Sequence, residues 1–289
     1  MSIRLHVGQP LLEGAQLALP ETAARHAQVR RVQPGDTLRL FDGRGGEHVA
    51  HVLEMGRREV VVRVGPPQPA LPELAPGVTL AVGMPANERM DFLVEKATEL
   101  GVAQIQPLQC ARSVLRLDPE RAQRRCAHWQ AVAVAAAEQC GRAVVPLLAP
   151  VADLAQWCQA LAPSPLQQRA LLSLSAAAEP AARVLGSVQG QGRAPGGTAP
   201  AEAVDTERFE AADTAASDAA AVEPPGRTVI VLSGPEGGLT AQEEAAARAA
   251  GFVPVSLGPR VLRSDTAPLA LLAWLALSAA PNPPPARSA

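Results

Sequence analysis

The sequence predicts an α/β protein, a largely parallel sheet with helices on its faces, preceded by a small all-β region. Three observations carry this. From residue 78 onward, strand-like and helix-like runs alternate. Before residue 66, short runs of alternating hydrophobicity crowd together between glycine turns. Between the two lies PPQPALPELAPG, residues 66–77, whose five prolines exclude a helix or a sheet interior and suit a stiff linker.

Taken in order, TLRLFDG, EHVAHVLEMG and REVVVRVG read as strands of a small barrel or curled sheet. PETAARHAQVRRV reads as a helix that ends at the turn Pro34-Gly35-Asp36. After the linker, VTLAVGM is a strand. NERMDFLVEKATELG is a helix with Met90, Leu93, Val94, Ala97 and Leu100 on one side and Gly101 as its stop. AQIQPLQ alternates as a strand, and ERAQRRCAHWQAVAVAAAEQCGR is the longest helix, with Cys126, Trp129, Ala133, Ala136 and Cys140 on one stripe. ALLSLS, 170–175, is another strand. Residues 176–226 hold too few large apolar side chains to offset their ordering entropy, and read as a disordered insertion on one surface loop. TVIVL is a strand; Thr240 and Glu243 then form a T-x-x-E capping box that starts a helix at about residue 241. FVPVSL is the last strand, and Asp265 or Thr266 caps a final helix with Pro268 in its first turn. The expected boundaries are 1–65, 66–77 and 78–289.

Composition narrows the function. A formal net charge of −2 gives no whole-protein pull toward nucleic acid. Lys96 is the only lysine among 26 basic residues, so cation sites here are guanidinium forks, suited to phosphates and base edges. Aromatic residues make up 2% with no tyrosine, which argues against base recognition by a row of stacked rings. Cys110, Cys126, Cys140 and Cys158 show no metal-ligand spacing and no disulfide framework, so no metal is expected and a reducing cytoplasm fits. MSIRLHVGQP lacks an apolar signal core, and PLALLAWLALSAA, 268–280, is too short to span a bilayer, so no membrane partner is expected.

The chemistry concentrates at two loops. Ser233–Leu239, SGPEGGL, lies between a strand's carboxyl end and a capped helix, where open α/β sheets place ligands. It has no following lysine and no G-x-G-x-x-G, so it is neither a Walker nor a Rossmann phosphate loop. Glu236 would repel a polyphosphate, which points to a ligand neutral or positive nearby. The next strand opens into a second such loop, GPRVLRSDTAP, carrying Arg260 and Arg263.

GPEGG with its capping box, LGPRVLRSDTAPLALL, MDFLVEKATELGV and AAAEQCGRAVVP, with RHAQVRRVQPGDTLRLFDGRGGE near the N-terminus, together resemble the RsmE family. These are enzymes that use S-adenosyl-L-methionine (SAM) to methylate N3 of a uridine in 16S rRNA of the small ribosomal subunit. The resemblance implies a SPOUT-type parallel sheet with a C-terminal trefoil knot, a PUA-like RNA-binding β-barrel ahead of it, and a homodimer. Periodicity alone gives no knot. The implied SAM pocket gathers Leu174 with Ser233, Gly234, Pro235, Glu236, Gly237 and Gly238, then Leu257, Gly258, Arg260, Val261, Leu262 and Thr266. Where the family reads V-L-R, this chain has Val29-Arg30-Arg31, and where it reads E-T-A, Asp265-Thr266-Ala267.

Methylation of uracil N3 needs the imide proton removed and the anion stabilised at its carbonyl oxygens. Arg263 and Arg142 are the candidate stabilisers, with phosphate positioning the competing account of Arg263. Glu138 or Asp265 is the candidate base; Glu138 also reads as a surface ion pair with Arg142 four residues on. His26 and His128 read as structural, and Lys96 as paired with Glu99 or a neighbouring acid. Arg25, Arg30, Arg31, Arg44 and Arg112 would form an RNA-facing patch, or a solvated basic face. Leu269, Leu272 and Trp274 of the final helix suit either a dimer surface or an intrachain core. Two rival functions stand beside methyl transfer: a ribosome-assembly factor that kept the fold, and a metabolic enzyme binding a small anion at the glycine loop.

Overall fold

A computed structural model describes residues 3–57, 59–86, 88–189 and 227–279. Two sheets carry the chain. The first takes β1 (Arg4–His6), β2 (Gln16–Ala18), helix α1 (Glu21–Val29), β3 (Thr37–Phe41), β4 (Glu47–Met55) and β5 (Val60–Pro67). Its strands run in the order β1-β3-β4-β5-β2, antiparallel except for β1 against β3. Alternate residues of β3 to β5, among them Leu38, Leu40, Ala50, Val52, Val60 and Val62, close a core with α1, as period-two patterning requires.

The second sheet is wholly parallel. It is built by β6 (Gly77–Gly83), α2 (Glu88–Glu99), β7 (Gln104–Gln109), α3 (Pro119–Cys140), β8 (Leu147–Leu148), β9 (Ala152–Asp153), α4 (Leu154–Ala160) and β10 (Gln167–Leu172). It continues through β11 (Glu179–Pro180), α5 (Ala181–Gln189), β12 (Thr228–Ser233), α6 (Ala241–Ala249), β13 (Val253–Ser256) and α7 (Thr266–Ala279). The order is β11-β13-β10-β12-β6-β7-β8, with β9 also on β7. The last three long strands are therefore not laid down in sequence: β10 sits between β12 and β13, and β12 returns beside β6.

Local chemistry explains the boundaries. Asp118 takes the N–H of Arg121, Pro119 follows at the first helical position, and left-handed Gly141 closes α3. Of the stripe expected on α3, Trp129, Ala133 and Ala136 are buried, with Cys126 and Cys140 at its half-buried edges. Residues 179–189, placed by the sequence inside a disordered insertion, instead form β11 and α5. Ala181 and Leu185 of α5 are buried in the main core, so the apolar residues of AARVLG are enough to dock it. Of the rest of that expected insertion, 176–178 belong to the turn before β11, and 190–226 lie outside the described residues. Leu269 and Leu272 of α7 are core side chains, and Trp274, half-buried, packs against that core. No described helix is long and apolar enough to cross a membrane.

The two sheets meet along a polar seam at the C-terminal end of α3. Arg4 donates to Glu47 at 2.7 Å, to the carbonyl of Ala137 at 2.8 Å and to that of Arg142 at 3.1 Å. Glu138 accepts the backbone N–H of His6 at 2.9 Å and faces His26 Nδ1 at 3.2 Å. Arg142, expected beside substrate, is instead buried: it pairs with Glu73 and donates to the carbonyls of Thr98 at 2.8 Å and Val102 at 3.0 Å. Its donors are consumed in tying the 68–76 segment to the loop after α2. The expected Arg142–Glu138 pair does not form, because the two side chains leave the end of α3 toward different partners. Lys96 does pair as expected, with Glu95 at 2.7 Å and Glu99 at 2.8 Å, and these two carboxylates, Glu95 first, raise its ammonium above its ordinary pKa.

Replacing Arg142 with Met should destabilise the protein by about 3 kcal/mol, since Glu73 and two carbonyls lose their donor; urea unfolding measures it, and a loss under about 1 kcal/mol would contradict this anchoring role. Burial lowers the pKa of His6 below its ordinary 6.5, so the unfolded chain binds protons first as pH falls. Stability should therefore decline as pH drops below about 6.5, and the urea midpoint of His6→Gln should fall less between pH 7.5 and pH 5.5 than that of the parent.

Candidate functional site

Because β12 and β10 lie side by side between β6 and β13, the loops leaving their carboxyl ends meet at one edge of the parallel sheet. They enclose a cleft of about 420 Å³, within the ~300–1,000 Å³ of ordinary small-molecule sites.

The floor is the loop after β12. Ser233, Gly234, Pro235, Glu236 and Gly238 line it. A side chain on Gly83, at the end of β6, would meet the backbone nitrogen of Pro235 at 2.6 Å, so the loop passes in direct contact with that strand. Gly238 has φ +68° and its N–H reaches the Pro235 carbonyl at 2.8 Å, closing the turn. Beyond it the capping box is complete: Thr240 Oγ1 accepts from the Glu243 N–H while Glu243 accepts from Thr240. The same carboxylate accepts the N–H of Ala111 at 2.7 Å, which binds the loop after β7 to this turn. Arg112 donates to the carbonyls of Gly237 at 3.1 Å and Leu239 at 3.4 Å. Gly237 thus faces Arg112 and not the cleft.

One wall is the loop after β10, with Ser173 and Leu174; the other is the loop after β13. There Leu257, Gly258, Arg260, Val261, Leu262 and Arg263 all reach the cleft. Asp265 accepts the N–H of Thr266 at 3.0 Å at the head of α7; Thr266 itself is exposed and does not line the cleft. Four polar residues that the sequence did not single out also face inward: Ser256, Ser264, Arg89 from the first turn of α2, and Glu244 from α6. Ser264 Oγ is buried with no hydrogen-bond partner among the described residues. A hydroxyl so placed on the cleft lining is able to donate to an acceptor within it. Glu236 accepts the N–H of Ala86 at 3.2 Å and lies 3.6 Å from Arg89.

The charges are mixed, with Glu236 and Glu244 against Arg89, Arg260 and Arg263. Such a lining suits a zwitterion or a nucleoside with one cationic centre, and opposes a polyphosphate. Cys110 behind the cleft and Cys158 on α4 are buried thiols, their pKa values pushed up to about 12 and about 11, and are poor nucleophiles. Glu138 and Arg142 lie in the seam described above, outside the cleft. Arg25 is exposed midway along α1, Arg30 and Arg31 are exposed just past its end, with Arg31 at φ +57°, and Arg44 is exposed on the β3–β4 turn. Arg112 alone of the expected RNA-facing arginines adjoins the cleft.

Comparison with known proteins fits this geometry. The family model described as RNA methyltransferase domain matches residues 72–192 and 201–276, and that of the RNA methyltransferase PUA domain matches 19–65. Ribosomal RNA small subunit methyltransferase E of Mycobacterium tuberculosis is 34% identical over 241 residues, 83% of this chain and 78% of the relative. The protein of that name from Synechocystis sp. is 29% identical over 279 residues, 95% of this chain and 77% of its own. Among solved structures, Ribosomal RNA small subunit methyltransferase E from Neisseria gonorrhoeae bound to S-adenosyl methionine superposes with a TM-score of 0.74 at 28% identity, covering 95% of this chain and 97% of the other. A Legionella pneumophila methyltransferase in complex with SAM gives 0.76 at 27% identity, covering 96% and 98%.

Gly83→Ala should push the Pro235 turn outward. The expected cost is about 1–3 kcal/mol of stability together with at least a tenfold loss of ligand affinity, read by calorimetry on the folded variant. Unchanged affinity would show that the turn tolerates displacement.

Proposed function

The chain belongs to the family of ribosomal RNA small subunit methyltransferases E, and from that membership we propose that it methylates N3 of a uridine in 16S rRNA with S-adenosyl-L-methionine as donor. The observation that carries the reading is the cleft itself: three strand-end loops, a mixed-charge lining and an unpartnered buried hydroxyl at Ser264.

These residues fit the donor. Backbone groups of the 233–238 and 257–262 loops, with Ser264 Oγ, would hold its nucleoside; Glu236 or Glu244 would face its cationic sulfur; Arg260 would take its carboxylate. When bound, SAM supplies a methyl group on a sulfonium, and transfer to N3 breaks the methyl–sulfur bond, leaves its electron pair on sulfur and releases the N3 proton. The chain's part is to fix the two reactants in line and to stabilise the imide anion. Arg263 has no ion-pair partner among the described residues and lines the cleft, so its guanidinium is the proposed donor to a uracil carbonyl. Glu138 and Arg142, held in the seam, act on the site only through the architecture. Asp265, next to the cleft-lining Ser264 in the same loop, is the proposed proton acceptor.

Arg25, Arg30, Arg31, Arg44 and Arg112 are proposed to carry the RNA backbone. Residues 1–65 would serve as the RNA-docking domain, 66–77 as the linker and 78–289 as the methyltransferase domain, with the knot implied by the resemblance at the β10, β12 and β13 loops. We place the working unit as a homodimer in the cytoplasm; Leu277 of α7 is 79% exposed and available to such an interface. An assembly factor without activity would have no reason to keep an open cleft with unpaired donors.

The test supplies labelled-methyl SAM with small ribosomal subunits from cells lacking this protein, then reads nucleosides by mass spectrometry. Label in 3-methyluridine alone is expected, and Arg263→Met should lower the rate by about a hundredfold with SAM affinity retained. Label in another nucleoside would overturn the acceptor. No label despite SAM binding would leave the assembly-factor reading.

A further inference from the structure

The cleft does not end at the donor site. An open groove of about 510 Å³ adjoins it, lined by Ala86, Glu88, Arg89, Val114 and Glu236. Arg89 and Glu236 line both. Building on the function proposed above, we infer that this groove is the subsite for the acceptor base, with Arg89 as the residue that grips it from the side opposite Arg263.

The argument begins with the acceptor. Uracil N3 is flanked by two carbonyls, and the incoming methyl needs the space in front of N3 itself. One guanidinium cannot serve both oxygens without covering that nitrogen, so the anion is best held by two donors, one on either side. The fold brings both to the same cleft, from opposite ends of one row of strands. In the order β13-β10-β12-β6, Arg263 follows β13 at one end and Arg89 follows β6 at the other.

Arg89 has capacity for this. Its partner Glu236 stands 3.6 Å away, beyond a normal hydrogen bond, and Glu236 Oε1 is already accepting from Ala86. A guanidinium carries five N–H donors, and this ion pair leaves most of them for a ligand. Glu236 sets where the arginine sits, since the same carboxylate fixes the turn below the donor and the first turn of α2. The two substrates' sites are thereby coupled through one side chain.

The other wall suits a base face. Val114 is 75% exposed, an apolar side chain on a loop that holds Arg112 and Arg116 on either side of it. Arg116 donates to the Ala111 carbonyl at 2.9 Å and Arg112 to Gly237, so the loop is pinned at both arginines while Val114 is presented outward. A branched aliphatic group framed by cations can pack against a flat uracil whose phosphates lie on the arginines, in a chain with hardly any aromatic residues for the purpose.

The experiment compares the parent with Arg89→Met, Arg89→Lys and Val114→Asp in three readouts: SAM affinity by calorimetry, kcat and KM for small subunits, and the pH dependence of the rate. Arg89→Met should keep the thermal midpoint, lose about a hundredfold in kcat, well beyond any change in SAM affinity passed through Glu236, and need a pH about one unit higher to reach its plateau. Arg89→Lys should recover part of the rate. Val114→Asp should raise KM for RNA and leave SAM binding unchanged. Parent-like turnover in Arg89→Met would overturn the subsite alone, and so would a loss of SAM affinity that accounts for the whole rate defect. A parent protein that methylates no ribosomal RNA would overturn the proposed function, and this subsite with it.

Discussion

One buried carboxylate organises the site. Glu243 is 8% exposed, and its two oxygens serve three donors from two loops: the N–H and hydroxyl of Thr240, and the N–H of Ala111. A charge so far from water is tolerable only when it is fully hydrogen-bonded. Meeting that condition fixes where α6 begins, how the glycine turn before it closes, and how near the loop after β7 approaches. Arg112 and Val114 then inherit their positions from Ala111. The glycines contribute space and conformation, but the bond that holds the loops in register is this one.

The seam between the sheets works by the same rule at a different place. Arg4, Glu47, Glu138 and Arg142 are all at least partly buried, and each finds its partners across a boundary between sheets or segments. Arg4 in particular donates to two of the last carbonyls of α3, those of Ala137 and Glu138, at a helix C-terminus that favours a cation. The N-terminal sheet is thus docked by oriented donors and acceptors around a small apolar cluster, Phe41 against Ala137, Ala143 and Val145. Its orientation toward the cleft is therefore specified by geometry and not only by area.

Much of this was legible in the residues, and the failures have physical causes. The strand at 228–233, the capping box and the helix stripe of Trp129 and Ala133 are local patterns, and local patterns can be read directly. So can the glycine turn, because its peculiar residues suit few other roles. Arg142 could not be placed, because an arginine just after a helix reads alike whether it faces substrate or a distant Glu73. Arg89 was passed over for the converse reason: it is an ordinary surface arginine on an amphipathic helix until β12 returns beside β6 and brings Glu236 to it. The order of strands, which creates the cleft, is a long-range property that periodicity does not encode. α5 was lost inside a composition judged too poor in large apolar groups, yet Leu185 needed only one prepared hollow in the core.

The single lysine has a consequence for how this protein keeps its charge. Cellular acylation acts on amines, and neutralises a lysine when it does. Here the positive groups facing the cleft and the exposed end of α1 are guanidinium groups, which such chemistry does not touch. The one side-chain amine is clamped between Glu95 and Glu99 and holds its proton more firmly than usual. A protein whose grip on a polyanion rested on lysine would lose it by degrees as acetyl donors accumulate. The arginines that supply nearly all of this chain's positive charge lie where the cell's acyl-group economy has no purchase.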